Sequence, residues 1–338
     1  MNSFLHPRAG NVPTRGFRLL ALLAGWLVAA TAGKPATVTE NFSANPLTHG
    51  WQIYGNTNLF RWDSTNQNLA VTWDSSQTNS YFYQPLGTIL AREDSFRLSF
   101  DLTFQDYAHG TTAGKPYDFP AAIGFLNLSN ATRTNFSYGT GINSTYGPAN
   151  LVQFNFFPAF DVYSPTIDQV IIATNNGSWL YNDANLLDMT PGQLFHVEMN
   201  YTNRTLTTVV TNNGAQYGVT QTISVPTNFD FRCAAISISS YSDQHASGSI
   251  LAHGTVDNFN FTVPPPPVQN LTGAFSNHIW KTQFIGRTNW LYTLERTANF
   301  QSWTNAAALL ATNAPNFVLQ DSNAPTGNAF YRIRAERP

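Results

Sequence analysis

From residue 96 to residue 105 the chain alternates without a break. Phe96, Leu98, Phe100, Leu102 and Phe104 fall on one side, and Arg97, Ser99, Asp101, Thr103 and Gln105 on the other. Period two is the period of a β-strand with one dry and one wet face, and a helix cannot sort these residues so. Residues 195–201 alternate likewise, then turn at Asn203 and Arg204 into the apolar run containing Leu206, Val209 and Val210. A second turn at Asn212, Asn213 and Gly214 supplies the positive φ angles that tight hairpins need. Residues 151–157, 170–173, 234–240 and 256–263 read as further strands, separated by Gly, Asn, Pro and Asp clusters. Many strands with one wet face predict an all-β chain: two antiparallel sheets packed as a jelly-roll sandwich.

Charge narrows the classes further. Only 11% of residues are charged and the net charge is -2. That leaves no basic surface for nucleic acid and too little charge for a disordered or long-helix protein. Cys233 is the single cysteine, so no internal disulfide is expected and packing must supply the stability. At the N-terminus Arg8, Arg15 and Arg18 precede an apolar stretch over 19–30, then Ala30, Thr31 and Ala32. This is the form of a secretory signal peptide over 1–32, cleaved near Ala32 to leave a secreted, extracellular or periplasmic chain. The stretch falls short of the ~20 residues a spanning helix needs, and no membrane span is expected in the mature chain.

Pro264, Pro265, Pro266 and Pro267 favour an extended linker that cannot join a sheet interior. They divide a large domain, 33–263, from a small β accessory domain, 268–338. The first carries eight Lys/Arg against sixteen Asp/Glu, the second six against three. Trp280, Trp290, Trp303, Phe317, Phe330 and Tyr331 can give the second an aromatic core.

Thr39-Glu40-Asn41-Phe42-Ser43, Gly50-Trp51 and Asn68-Leu69-Ala70-Val71 resemble the first strands of the concanavalin A-like lectin/glucanase superfamily. Residues 195–201 resemble its long central strand, and Val256-Asp257-Asn258-Phe259 the last strand of its laminin-G-like members. The resemblance covers most of 37–263. Tyr292-Thr293-Leu294-Glu295-Arg296-Thr297, Ser302-Trp303, Leu319-Gln320-Asp321 and Phe330-Tyr331-Arg332-Ile333 are similar to a small β module that follows a larger sandwich in many secreted proteins of environmental bacteria.

The glucanase branch would place paired carboxylates two residues apart on one strand face. Here Glu40, Glu93, Glu198, Glu295 and Glu336 have no Asp or Glu at that spacing. Zinc-ligand and serine-hydrolase motifs are missing as well. A structural Ca²⁺ is implied by the resemblance, with Glu40 in the first strand and Asp257 in the last as natural ligands. Two edge carboxylates in water is the other reading, and Asp106, Asp118, Asp161 and Asp168 are alternatives in loops. Carbohydrate binding needs aromatic faces for sugar CH groups and amides or carboxylates for hydroxyls. The loop over 105–120 offers Tyr107, Tyr117 and Asp118, and the segment after Asn175 offers Trp179 and Tyr181. Asn155 and Glu198, with Asp101, Gln153, His196 and Asn200, could line a concave sheet. The sequence thus predicts an exported protein that binds extracellular polysaccharide or cell-surface glycan without catalysis. A glycan-cleaving hydrolase or lyase, with carboxylates such as Asp101 and Glu198 gathered from separate strands, is the alternative. A structural adhesion or matrix protein is the third.

Overall fold

The computed structural model describes residues 36–138, 150–158, 165–173, 179–185, 187–312 and 315–338. The leader expected over 1–32, Asp161 and residues 174–178 lie outside them. The large domain is built from β1 (Ala36–Glu40), β2 (Gln52–Tyr54), β3 (Phe60–Asp63), β4 (Asn68–Asp74), β5 (Ser80–Ala91), β6 (Phe96–His109), β7 (Ala121–Leu126), β8 (Leu151–Phe157), β9 (Thr166–Ile172), β10 (Trp179–Asn185), β11 (Phe195–Thr202), β12 (Thr205–Asn212), β13 (Ala215–Gln216), β14 (Gln221–Ser224), β15 (Arg232–Ser240) and β16 (Ile250–Val263). One short helix, α1 (Leu128–Ala131), follows β7.

The strands form two antiparallel sheets. A back sheet of nine strands runs β13-β12-β11-β6-β16-β4-β3, with β1 on β16 and β14 on β12. A front sheet of seven runs β10-β9-β8-β7-β15-β5-β2. The all-β sandwich read from the sequence is the observed architecture. Between the sheets, Phe154 and Phe156 of β8 meet Phe100 and Phe104 of β6, with ring centroids 5.8 and 5.0 Å apart. Trp51 stacks on Phe82 at 4.8 Å and meets Phe259 edge-on. The β11–β12 hairpin turns on Asn203 and Arg204, both at positive φ, with Thr202 opposite Thr205. That is the primed turn whose twist matches its strands.

β6 is longer than its alternation suggested. It continues to His109, so the loop expected over 105–120 begins only at Gly110. Phe104 pairs with Gly254 and Asp106 with His253, leaving Gln105 as an extra residue. Such a bulge breaks the alternation and hides the strand's continuation from a period-two reading.

The remaining strands, β17 (Val268–Ser276), β18 (Ile279–Gly286), β19 (Leu291–Thr297), β20 (Thr304–Leu310), β21 (Asn316–Asp321) and β22 (Phe330–Glu336), make two three-stranded sheets, β17-β18-β21 and β20-β19-β22. Phe284, Trp290, Tyr292, Leu294, Phe317 and Leu319 fill the space between them. The four prolines lie between β16 and β17, and the Tyr292 hydroxyl donates to the Pro267 carbonyl at 2.8 Å. Among the described residues no helix is long and apolar enough to cross a membrane.

Candidate carbohydrate site

Because Phe154 and Phe156 point into the sandwich, Gln153 and Asn155 must point out of the front sheet. Cross-strand pairing then fixes a row on that outer face: Asp183, Asp168, Asn155, Ala122, Ser239, Tyr81 and Tyr54, one residue from each strand. The next row includes Tyr181, Gln153 and Gly124. A Cβ on Gly124 would lie 2.4 Å from the Val152 carbonyl, so only glycine lets β7 lie this close to β8. The face is partly roofed by the segment after α1. Tyr138 stacks on Tyr241 at 4.5 Å and packs 6.0 Å from Trp179.

Beneath this roof the polar groups are knitted together. Asn155 donates to the Tyr138 hydroxyl at 2.8 Å and to Asp168 Oδ2 at 3.2 Å. Gln153 donates to Tyr241 at 2.7 Å. Burial pushes the Asp168 carboxyl well above the usual carboxylate range, and the neighbouring Asp183 adds to the rise. Asn155 Oδ1 and Asp168 Oδ1 are buried with no hydrogen-bond partner among the described residues.

Just before β7, the middle strand of the front sheet, lies Asp118. The Tyr117 backbone pairs with the 247–249 segment, and a Cβ on Gly248 would stand 2.0 Å from the Asp118 carbonyl. Lys115 anchors the same loop through an ion pair to the buried Asp243. The Asp118 side chain is 7% exposed, and neither carboxyl oxygen has a donor among the described residues. His109 Nδ1 stands 4.0 Å away, beyond hydrogen-bond reach. Burial pushes the carboxyl up to about 7. Phe119 packs 6.1 Å from Tyr138, whose other side meets Trp179. Thus the Tyr117–Asp118 corner and the start of β10 flank one ring. Tyr117 is 42% and Tyr181 61% exposed.

The structure places Trp179, Tyr181 and the buried Asn155 on the outer front face, and Tyr117 and Asp118 just before β7, joined to that face through the Phe119–Tyr138 contact. Two other predicted residues do not join them as ligand groups. Glu198 points out of the back sheet, on the other side of the sandwich, and holds Arg97 at 2.8 Å. Tyr107 gives its hydroxyl to Asp188 at 2.5 Å and packs on Phe104 and Phe156, so it serves the fold. A single polar face therefore does not collect Asp101, His196, Glu198 and Asn200 with Gln153 and Asn155, because they belong to different sheets. Asp101 and Glu198 do share the outer back face. Asp101, however, is bound by His196 at 2.7 Å and Asn258 at 2.7 Å, and Glu198 by Arg97, so each already has its partners.

The proposed calcium ligands are also separated. Glu40 pairs with the inward-facing Phe259 and accepts from Phe42 N at 2.8 Å, while Asp257 pairs with Asp101 on the outer face. A bulge at Asp257 and Asn258, the latter at φ 47°, reverses the facing between them. These two residues do not fit one calcium ion, and the described residues contain no group of three His, Cys, Asp or Glu suited to a metal. Tyr138 and Tyr241, the roof of the site, carried no sequence signal beyond their aromaticity. Gln153 and Asn155, expected on a wet sheet face, are fully buried beneath these two rings.

No family model and no curated protein matches the sequence. Solved structures similar to it include several lectins and a functionally unknown protein from Saccharomyces cerevisiae. Peanut lectin with a bound 9-mer peptide is 18% identical, with 68% of this chain and 98% of that one covered and a TM-score of 0.42. Lectin II of Ulex europaeus is 14% identical, covering 68% and 99% at a TM-score of 0.44. The Bauhinia forficata lectin in complex with GalNAc is 15% identical, covering 69% and 99% at 0.41.

Proposed function

We propose that this chain is an exported carbohydrate-binding protein whose site runs from the Tyr117–Asp118 corner before β7, past Tyr138, towards β10 on the front sheet. One observation carries the reading: a buried carboxyl, Asp118, without a hydrogen-bond donor among the described residues, next to the exposed Tyr117. Leaving such a group unpaired costs about 1–3 kcal/mol. A sugar with two adjacent hydroxyls supplies the missing donors, with Tyr117 beside it for its CH groups, while Trp179 and Tyr181 on β10 offer faces to further residues of a polymer. The ligand class is extracellular polysaccharide or cell-surface glycan. One feature favours the catalytic alternative: a carboxyl near 7 could serve as a general acid. Its partner would have to be a second carboxylate with an open approach, and Asp168 is roofed over.

The test is a polysaccharide panel read both for retention and for new reducing ends. Retention without cleavage, lowered about tenfold or more in Asp118→Asn and weakened in Tyr181→Ala, is the expected result. Retention indifferent to Asp118→Asn would remove the site from this corner. New reducing ends that vanish in Asp118→Asn would make the protein an enzyme.

A further inference from the structure

The aromatic contacts on the front face do not stop at Trp179. They run from Trp179 through Tyr138, Tyr241 and Tyr81 to Tyr54 on β2, with successive centroids 6.0, 4.5, 5.8 and 5.8 Å apart. The row crosses the whole sheet, buried in its middle and open at its far end, where Tyr54 is 39% exposed. There it borders a cleft of about 490 Å³ whose walls include Thr78, Arg133, Phe136, Ser242 and Gln244, a volume in the range of ligand sites.

The cleft has a fixed frame. Asn79 donates to the Phe136 carbonyl at 3.0 Å and accepts from Ser242 N at 2.8 Å, clasping the two walls. Tyr54 donates to the Thr132 carbonyl at 3.2 Å, which sets its ring. Gly55, at φ 84°, leaves no room for a side chain, since a Cβ would meet Ser80 Oγ at 2.5 Å. The Arg133 backbone is held in a turn by Arg133 N to Asn130 O and Phe136 N to Arg133 O.

The electrostatics of the cleft oppose those of its domain. Residues 33–263 carry sixteen acids against eight cations. Arg92, Arg97, Lys115 and Arg232 each hold a carboxylate. Arg133, like Arg61 and Arg204, is in no ion pair among the described residues, but it alone of these three lines the cleft, where no acid is among the described lining residues. A guanidinium with no ion pair among the described residues, in a domain of net negative charge and beside an aromatic face and neutral amides and hydroxyls, is matched by an anion carried on a sugar ring.

We propose that this cleft is a second saccharide subsite, specific for a sugar bearing an anionic group, with Arg133 binding the anion and Tyr54 carrying the ring. The proposal rests on the glycan-binding reading and narrows its ligand to an acidic polymer that reaches along the front face.

The test measures affinity of the full chain for an oligogalacturonate, the same oligosaccharide with its carboxyls reduced to alcohols, and a κ-carrageenan oligosaccharide. At least one charged probe should bind about tenfold or more tightly than the reduced one, with the gap narrowing as salt is raised. Whichever charged probe wins names the anion as carboxylate or sulfate. Arg133→Gln should erase the gap with unchanged thermal stability, and Tyr54→Phe, which keeps the ring on Tyr81, should hold its affinity while Tyr54→Ala weakens every probe. Asp118→Asn should lower all affinities and leave the charged-to-neutral ratio intact. Equal binding of charged and reduced probes, or a gap that survives Arg133→Gln, overturns the acidic cleft and leaves the glycan reading standing. Binding of none of the three overturns both.

Discussion

Asp118 pays for its position in a way that pH can expose. Its carboxyl ordinarily titrates near 3.8, and burial raises it to about 7 in the folded chain. Between those values the folded state keeps a proton that the unfolded state has released, so stability falls as pH rises through the window. The contribution is complete below about pH 4 and lost above about pH 7. Asp118→Asn cannot ionise, so urea unfolding at the two ends of the window should show a smaller pH-dependent loss in the variant than in the native chain. Glycan binding should run the other way. The ionised carboxylate is the better acceptor, so affinity should climb towards pH 7 and level off, while Asp118→Asn stays flat. A variant whose stability and affinity follow the native pH curves would show that Asp118 is not the group responsible. In sequence this residue could be singled out for its type and its aromatic neighbours, Tyr117 and Phe119. Its lack of a donor could not be read, because that depends on where Gly248 and His109 come to lie. The same limit explains Glu198 and Tyr107, whose partners Arg97 and Asp188 are brought to them by strand register and tertiary packing.

Strands with one wet face were legible, and strands wet on neither face were not. β6 and β11 declared themselves by alternation, and the β11–β12 turn by its Asn. β8 is buried on both faces, and its run of Leu151, Val152, Gln153, Phe154, Asn155 and Phe156 alternates amides with rings. Nothing local says which set turns inward. Bulges did the other damage, at Gln105 and at Asp257, since one added residue reverses every later side chain. Where the two sheets meet at their open edge, a side chain replaces the ladder. Gln221 of β14 donates to the Ile167 carbonyl at 2.9 Å and the Asn182 carbonyl at 2.8 Å, joining the back sheet to β9 and β10. Asn182 returns a bond to the Thr222 carbonyl at 3.0 Å. Gln221→Ala removes two buried donors and should cost about 1–3 kcal/mol. The loss should appear as faster amide exchange in β10, the strand that carries Trp179 and Tyr181, before it appears in β8. Uniform acceleration across the front sheet would mean that Gln221 supports the sandwich as a whole rather than its binding edge.

At the scale of the molecule, two separate aromatic cores are joined by a buried ionic clasp. Asp94, at the β5–β6 turn, receives Arg287 and Arg337 from the small domain, and it accepts Ala91 N at 2.9 Å from its own side. Trp290 lies under both guanidiniums, at 5.6 and 5.1 Å. Arg287 also reaches Thr88 Oγ1 at 2.9 Å, and Ile89 packs against the small core. Removing Arg287 strips Asp94 of one of its two guanidiniums and Thr88 of a donor, a loss of about 1–3 kcal/mol, while the Asp94–Arg337 pair remains. A β domain of this size is close to the lower limit of independent stability, so that loss falls on the partner least able to bear it. The native chain should therefore unfold in one calorimetric transition. Arg287→Ala, which spares the Asp94–Ala91 bond, should split it, with the small domain melting first and Trp290 fluorescence following the earlier step. If the variant keeps a single transition at the native temperature, the clasp is not what couples the domains, and the packing of Ile89 together with the Arg232 bonds to the Arg337 and Pro338 carbonyls must carry that role. If the split appears, the linker's four prolines and the clasp act together. The first keeps the small domain at the end of β16, and the second fixes which of its faces the sandwich covers.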